Sequence, residues 1–239
     1  MKLPTRIAAC VMSFLILVAV LPTAGAMTFS PQQFTCPYDG TVFTVEVQRS
    51  GTSFGAMLDF RPFGAITSPW PLATCPTNGF VFYKPEFSED DLEKLRPVIL
   101  SDEYQSIRGE TAYYRAAWIL SRTGAERAQI ADYLLAATWE VEGKADYRRY
   151  VDELLPHLEA LAAGTDEREM RWQLGVLATE LFRRTGRFEQ ATRHVDDVLA
   201  DAHEGSFHYL LGRYQQELIA RRDVRPHPVP KEIAAKARR

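Results

Sequence analysis

Ala178-Thr179-Glu180-Leu181-Phe182-Arg183-Arg184-Thr185-Gly186 is a stretch of helix formers that ends on a threonine and a glycine. Ala116-Ala117-Trp118-Ile119-Leu120-Ser121-Arg122-Thr123-Gly124 has the same form, at an offset of 178 − 116 = 62. The apolar residues around both recur at helical spacing. Tyr113, Ala116, Ala117 and Leu120 share one face, as do Ile130, Leu134, Ala137 and Val141, and then Tyr147, Val151, Leu154, Leu158 and Leu161. Met170, Leu174, Leu177 and Leu181 form the next face, followed by Phe188, Ala191, Val195 and Val198, and by Phe207, Leu211, Tyr214 and Leu218. Six amphipathic helices are predicted. Glycines 124, 143, 164, 186 and 205 fall between the faces, where positive φ ends one helix and short turns set neighbours antiparallel. Pro156 should kink or split the third segment.

Upstream the chain has a different composition. From Phe34 to about Phe87 it is rich in Phe, Thr, Val, Gly and Pro, with strand-like runs at Thr41–Val47 and Phe80–Tyr83. Ser88 followed three residues later by Asp91 predicts the capped start of a short helix that Pro97 should close. From Asp223 the chain reads Val224-Arg225-Pro226-His227-Pro228-Val229-Pro230, which predicts a solvated tail.

At the N-terminus, Lys2 and Arg6 precede the apolar run Ile7 to Leu21, which leads to Ala24-Gly25-Ala26. This predicts a secretory signal peptide cleaved after Ala26, because the run is shorter than the roughly 20 residues of a spanning helix. Cys10 would leave with it. The mature chain would run from Met27 to Arg239, without a membrane span. With 28 − 2 = 26 basic against 31 acidic residues, its net charge would be near −5, which gives nucleic acid no footing. Bacterial export, periplasmic or secreted, would place Cys36 and Cys75 where disulfides persist.

Cys36-Pro37-Tyr38-Asp39-Gly40 and Cys75-Pro76-Thr77-Asn78-Gly79 are two copies of one pattern, C-P-x-[D/N]-G. The pair resembles the C-P-x-C-G knuckles of zinc ribbons. With Asp59-Phe60-Arg61-Pro62 between the knuckles and helices after them, the chain is similar from about Phe34 to Asp223 to the bacterial domain-of-unknown-function 2225 family. The helices resemble tetratricopeptide units, and Phe182, Gly186, Phe188 and Ala191 stand at that motif's aromatic, turn-glycine, second-aromatic and close-packing positions. The interval between Ala116 and Ala178 departs from the period of ideal units, which is about 34 residues.

The resemblance implies an α+β fold. A zinc-ribbon-like β module with a short helix (27–97) would precede an antiparallel tetratricopeptide-like helical array (98–222) and a basic tail (223–239). The knuckles depart from the family where a metal would bind, since Asp39 and Asn78 replace the second cysteines. Two thiolates and an Asn oxygen are a poor zinc set. The ribbon geometry implied by the resemblance would bring Cys36 and Cys75 together, so the expectation is a Cys36–Cys75 disulfide with no metal and no cofactor.

No hydrolase nucleophile elbow is expected, and no Walker loop, dinucleotide fingerprint or H-E-x-x-H is present. His157, His194, His203, His208 and His227 match no ligand spacing, and Asp196, Asp197 and Glu180 read as a solvated helix face. The expectation is a non-catalytic interaction module for an unidentified protein or peptide. By the tetratricopeptide register, its groove would be lined by Val176, Glu180, Arg183 and Arg184 before Gly186, and by Tyr114, Trp118 and Arg122 before Gly124. Aromatic and arginine side chains there would suit an acidic or carboxylate-ended peptide. The alternative is a thiol or metal-binding protein or enzyme working through Cys36 and Cys75.

Overall fold

A computed structural model describes residues 27–236, so the signal segment and its cleavage site lie outside the described residues. Three antiparallel strands, β1 (Met27–Thr35), β2 (Val42–Ala56) and β3 (Pro62–Ala65), form a sheet in the order β1-β2-β3. The helices follow as α1 (Glu89–Ile99), α2 (Asp102–Ser106), α3 (Ala112–Arg122), α4 (Arg127–Glu140), α5 (Tyr147–Gly164), α6 (Arg168–Arg184), α7 (Phe188–Asp201), α8 (Phe207–Ala220) and α9 (Lys231–Ala234). The six predicted helices are α3 to α8, and the fold is α+β with a helical array. Among the described residues no helix is long and apolar enough to cross a membrane.

The first knuckle is the turn between β1 and β2, where Phe34 pairs with Phe43 across the ladder. The second knuckle repeats its backbone. Cys36 N–H donates to Thr41 O at 2.8 Å and Gly40 N–H to Cys36 O at 3.0 Å; Cys75 N–H donates to Phe80 O at 2.8 Å and Gly79 N–H to Cys75 O at 3.0 Å. Gly40 and Gly79 have φ of 71° and 77°, a region side-chain-bearing residues rarely adopt.

Several expectations are corrected. Phe80–Tyr83 is not a strand and contributes only an isolated bridge from Val81 to Thr74, because Tyr83 leads directly into the turn before α1. The capping box forms, with Asp91 N–H donating to Ser88 Oγ at 3.1 Å and Ser88 N–H to Asp91 Oδ2 at 2.9 Å. Pro97, however, lies inside α1, and the boundary placed after it falls within one helix. Pro156 likewise lies within the single helix α5, and Gly164 is the last residue of that helix rather than a positive-φ turn.

The β module and the helices share a core. Cys36, Cys75 and Phe80 pack with Leu95 and Ile99 of α1, Tyr104 of α2 and Ile119 of α3. Polar contacts fix the same junction, since Tyr104 OH donates to Gly79 O at 2.6 Å and buried Arg115 donates from Nη1 to the same oxygen at 2.9 Å. A second cluster places Leu58, from the β2–β3 turn, with Trp172, Val176, Leu211, Leu218 and Ile233. Leu58 and Ile233 thus bring the sheet and the C-terminal segment onto α6 and α8.

Candidate functional site

The repeat extends well beyond the two matching words. α3 ends at Arg122 and α6 at Arg184, α4 begins at Arg127 and α7 at Phe188, and α5 begins at Tyr147 and α8 at Phe207, so each boundary recurs at nearly one offset. Two three-helix units result, α3-α4-α5 and α6-α7-α8. Their turns match in detail. Thr123 Oγ1 donates to Ile119 O at 3.0 Å and Thr185 Oγ1 to Leu181 O at 2.8 Å. Ala125 N–H donates to Leu120 O at 3.1 Å, and Arg187 N–H to Phe182 O at 2.9 Å. The first and third helices are bonded at matching places, each across 39 positions: Tyr114 OH to Glu153 Oε1 at 2.9 Å, and Gln215 Nε2 to Val176 O at 2.8 Å.

The positions expected to line a groove form the equivalent pairs Tyr114/Val176, Trp118/Glu180 and Arg122/Arg184, and Arg183 pairs with Ser121, a position outside that expectation. The structure treats the two sets differently. In the second unit Val176, Glu180 and Arg183 are 0%, 1% and 0% exposed, so the expectation of an open groove there is corrected. The reading of Glu180 as part of a solvated face is corrected with it.

The cover is the chain itself. Arg183 grips Glu180 with two bonds, Nε to Oε2 at 2.9 Å and Nη2 to Oε1 at 2.6 Å. The same guanidinium donates to Arg225 O at 2.9 Å and to Asp223 O. Arg184 donates to Val224 O at 3.0 Å and to Glu142 at 2.8 Å, and Glu142 also pairs with Arg61. Burial raises the carboxyl pKa of Glu180 against the pull of Arg183, and likewise raises Asp59 against its hydrogen bond from the Arg61 N–H. Hydrogen bonds from Arg225 hold Asp223 well below the usual carboxylate range.

The segment after α8 is therefore docked rather than solvated, which corrects the tail reading for its described part. Leu58 N–H donates to His227 O at 2.9 Å and Val229 N–H to Ala56 O at 2.8 Å, so the segment pairs with the β2–β3 turn. Its interactions run through backbone carbonyls, which leave no periodic trace in side-chain sequence.

In the first unit the equivalent positions border an open cavity of about 350 Å³. Tyr114, Ala117, Trp118 and Ser121 of α3, Ile130 and Leu134 of α4, and Glu153, Pro156 and His157 of α5 line it. Arg122 lies outside it, with its guanidinium over the Trp118 ring at 4.9 Å and an ion pair to Glu103 at 3.7 Å. The seven named residues thus do not make one continuous groove.

At the knuckles Cys36 and Cys75 form a disulfide, each 1% exposed, with Cα atoms 5.6 Å apart. Asp39 and Asn78 are fully engaged. Thr41 N–H donates to Asp39 Oδ1 at 2.9 Å, Phe80 N–H to Asn78 Oδ1 at 2.9 Å, and Asn78 Nδ2 to Asp39 Oδ2 at 3.1 Å. Thr77 Oγ1 also donates to Asp39 Oδ2, at 2.5 Å, and this is the largest influence lowering the Asp39 pKa. Joined sulfurs and turn-bonded oxygens do not fit a zinc ion.

One motif escapes the sequence reading: Gly51-Thr52-Ser53-Phe54-Gly55 spells the G-x-S-x-G of hydrolase nucleophile elbows. That motif needs a strand-to-helix turn, whereas these residues lie within β2. Exposed Ser53 donates to Gly55 O of its own strand at 2.9 Å. Ser53 pairs with Gly64 of β3 beside a bulge in the ladder.

No family model, curated protein or solved structure matches the chain.

Proposed function

We propose that this chain is an exported, non-catalytic interaction module, a variant of the domain-of-unknown-function 2225 pattern in which a disulfide takes the place of a metal at degenerate zinc-ribbon-like knuckles. The observation that carries the reading is the gripping of an extended segment by Arg183 and Arg184 through its backbone carbonyls. Guanidinium forks suit that task, because a planar donor array meets several oxygens at once. The polar groups assembled on the second unit hold chain segments together. Export is supported by the disulfide, which oxidising compartments sustain. The partner is a protein or peptide met by the helical array, outside the cytosol and without nucleic acid.

The test is expression of the full chain with its own leader in a bacterial host, followed by intact-mass analysis of the periplasmic fraction. The expected species begins at Met27 and carries one disulfide. A membrane-retained chain with residues 1–26, or a periplasmic form with two free thiols, would contradict it.

A further inference from the structure

We infer that the cavity of the first helical unit is a docking pocket for an extended peptide bearing one large apolar side chain. The inference rests on the interaction-module reading and gives that module a site.

In the second unit Arg183 projects from the last turn of α6, Glu180 holds it, and the returning segment lies over both. In the first unit Ser121 stands where Arg183 stands, and Trp118 where Glu180 stands. An exposed serine whose hydroxyl donates back to Trp118 O at 2.7 Å cannot fill the volume that a guanidinium fills. Space is left between α3, α4 and α5, at about 350 Å³ within the range of ligand pockets.

The walls of that space determine what enters it. Ile130, Leu134 and Pro156 give it aliphatic walls, and the rings of Tyr114, stacked on Tyr150, and Trp118, lying beneath Arg122, border it. Glu153 and His157 are the polar members of its α5 wall.

The backbone of the peptide has its own receptor. On the second unit Arg184 donates to a carbonyl of the extended segment at Val224. Arg122 is its equivalent, with a side chain 54% exposed that lies over Trp118 and pairs at 3.7 Å with the still more open Glu103. The chain's own segment thus shows how a peptide is held at such a position.

The test uses the isotope-labelled full chain and capped peptides of sequence Gly-Ser-Xaa-Ser-Gly, with Xaa as Trp, Leu or Gly. Saturable amide shifts at Ala117, Trp118, Ser121 and His157 are expected for Trp, weaker ones for Leu and none for Gly. Burial of one large apolar side chain corresponds to roughly a tenfold to hundredfold difference in affinity between Trp and Gly peptides. Ser121→Arg, which imitates the second unit, should abolish the shifts while the melting temperature holds. Ser121→Trp plugs the same space with an apolar group and should do likewise. Equal behaviour of Trp and Gly peptides, shifts confined to another surface, or shifts unchanged in both variants would overturn the pocket. A dimer of the chain dissolved by Ser121→Arg would also overturn it, by naming a second copy as the occupant. A physiological partner held equally well by wild type and Ser121→Arg would leave the interaction module standing and remove this pocket from it.

Discussion

Asn78 Nδ2 donates to Asp39 Oδ2 at 3.1 Å, so the two positions that carry the second thiol of a metal-binding knuckle hold each other. The first positions, Cys36 and Cys75, are joined covalently beside them. One disulfide and one hydrogen bond thus span the same two turns. In the chain-entropy picture, closing a loop across 39 positions is worth about 4 kcal/mol. Cys36→Ser with Cys75→Ser should therefore lower unfolding free energy by up to about 4 kcal/mol in denaturant titrations. A strong chelator should leave the oxidised chain unchanged; chelator-induced unfolding would mean that a metal site exists there.

Gly40 and Gly79 make matching turns with unequal surroundings. A Cβ at Gly40 meets nothing within 4 Å, whereas one at Gly79 meets Arg115 Nη1 at 3.2 Å and Arg108 Cγ at 3.3 Å. Gly40→Ala should cost about 1–2 kcal/mol from backbone strain alone. Gly79→Ala should cost more, because it also displaces the arginine that fastens the β module to α3. Equal thermal shifts for the two variants would show that Arg115 does not fasten the junction.

Arg183 is fully buried with Glu180, and removing one partner of such a pair strands the other charge. Arg183→Ala should destabilise the chain by about 3–5 kcal/mol. Glu180→Leu with Arg183→Met should cost less, since it leaves no orphaned charge, although the carbonyls of Asp223 and Arg225 still lose their donor. A double variant no better than Arg183→Ala would place the whole effect on those carbonyls.

Asp223 is held below the usual carboxylate range by Arg225, with a smaller contribution from His227. A depressed carboxyl pKa gives stability that is fully present above the unfolded value of ~3.9 and is lost as pH falls through the folded value. Its carboxyl carbon resonance should therefore titrate below ~3.9. An ordinary midpoint would mean that the Asp223–Arg225 contact does not persist in solution.

The helical half of the fold was legible because helices such as α5 and α7 bury one stripe, which writes its period into the sequence, whereas α6 is buried all round from Val176 to Arg183. Strand β1 was not legible, since Ser30-Pro31-Gln32-Gln33 has no apolar alternation and is held by ladder bonds to β2. Of the positions that the register of Gly124 names, Tyr114 and Trp118 line the cavity and Arg122 does not. Val176, Glu180 and Arg183 were assigned to open surface because nothing local shows that residues 223–229 return over them. That return is written in backbone carbonyls and in Ile233, one buried apolar residue that follows a proline-rich run.

The second helical unit is closed by its own C-terminal segment. Truncation after Arg222, read by amide hydrogen exchange of α6 and of the β2–β3 turn, should give faster exchange through Val176 to Arg183 and around Leu58, together with a lower melting temperature, because Arg183 and Glu180 lose their cover and Ile233 leaves the core. Unchanged exchange at those residues and an unchanged melting temperature would contradict it.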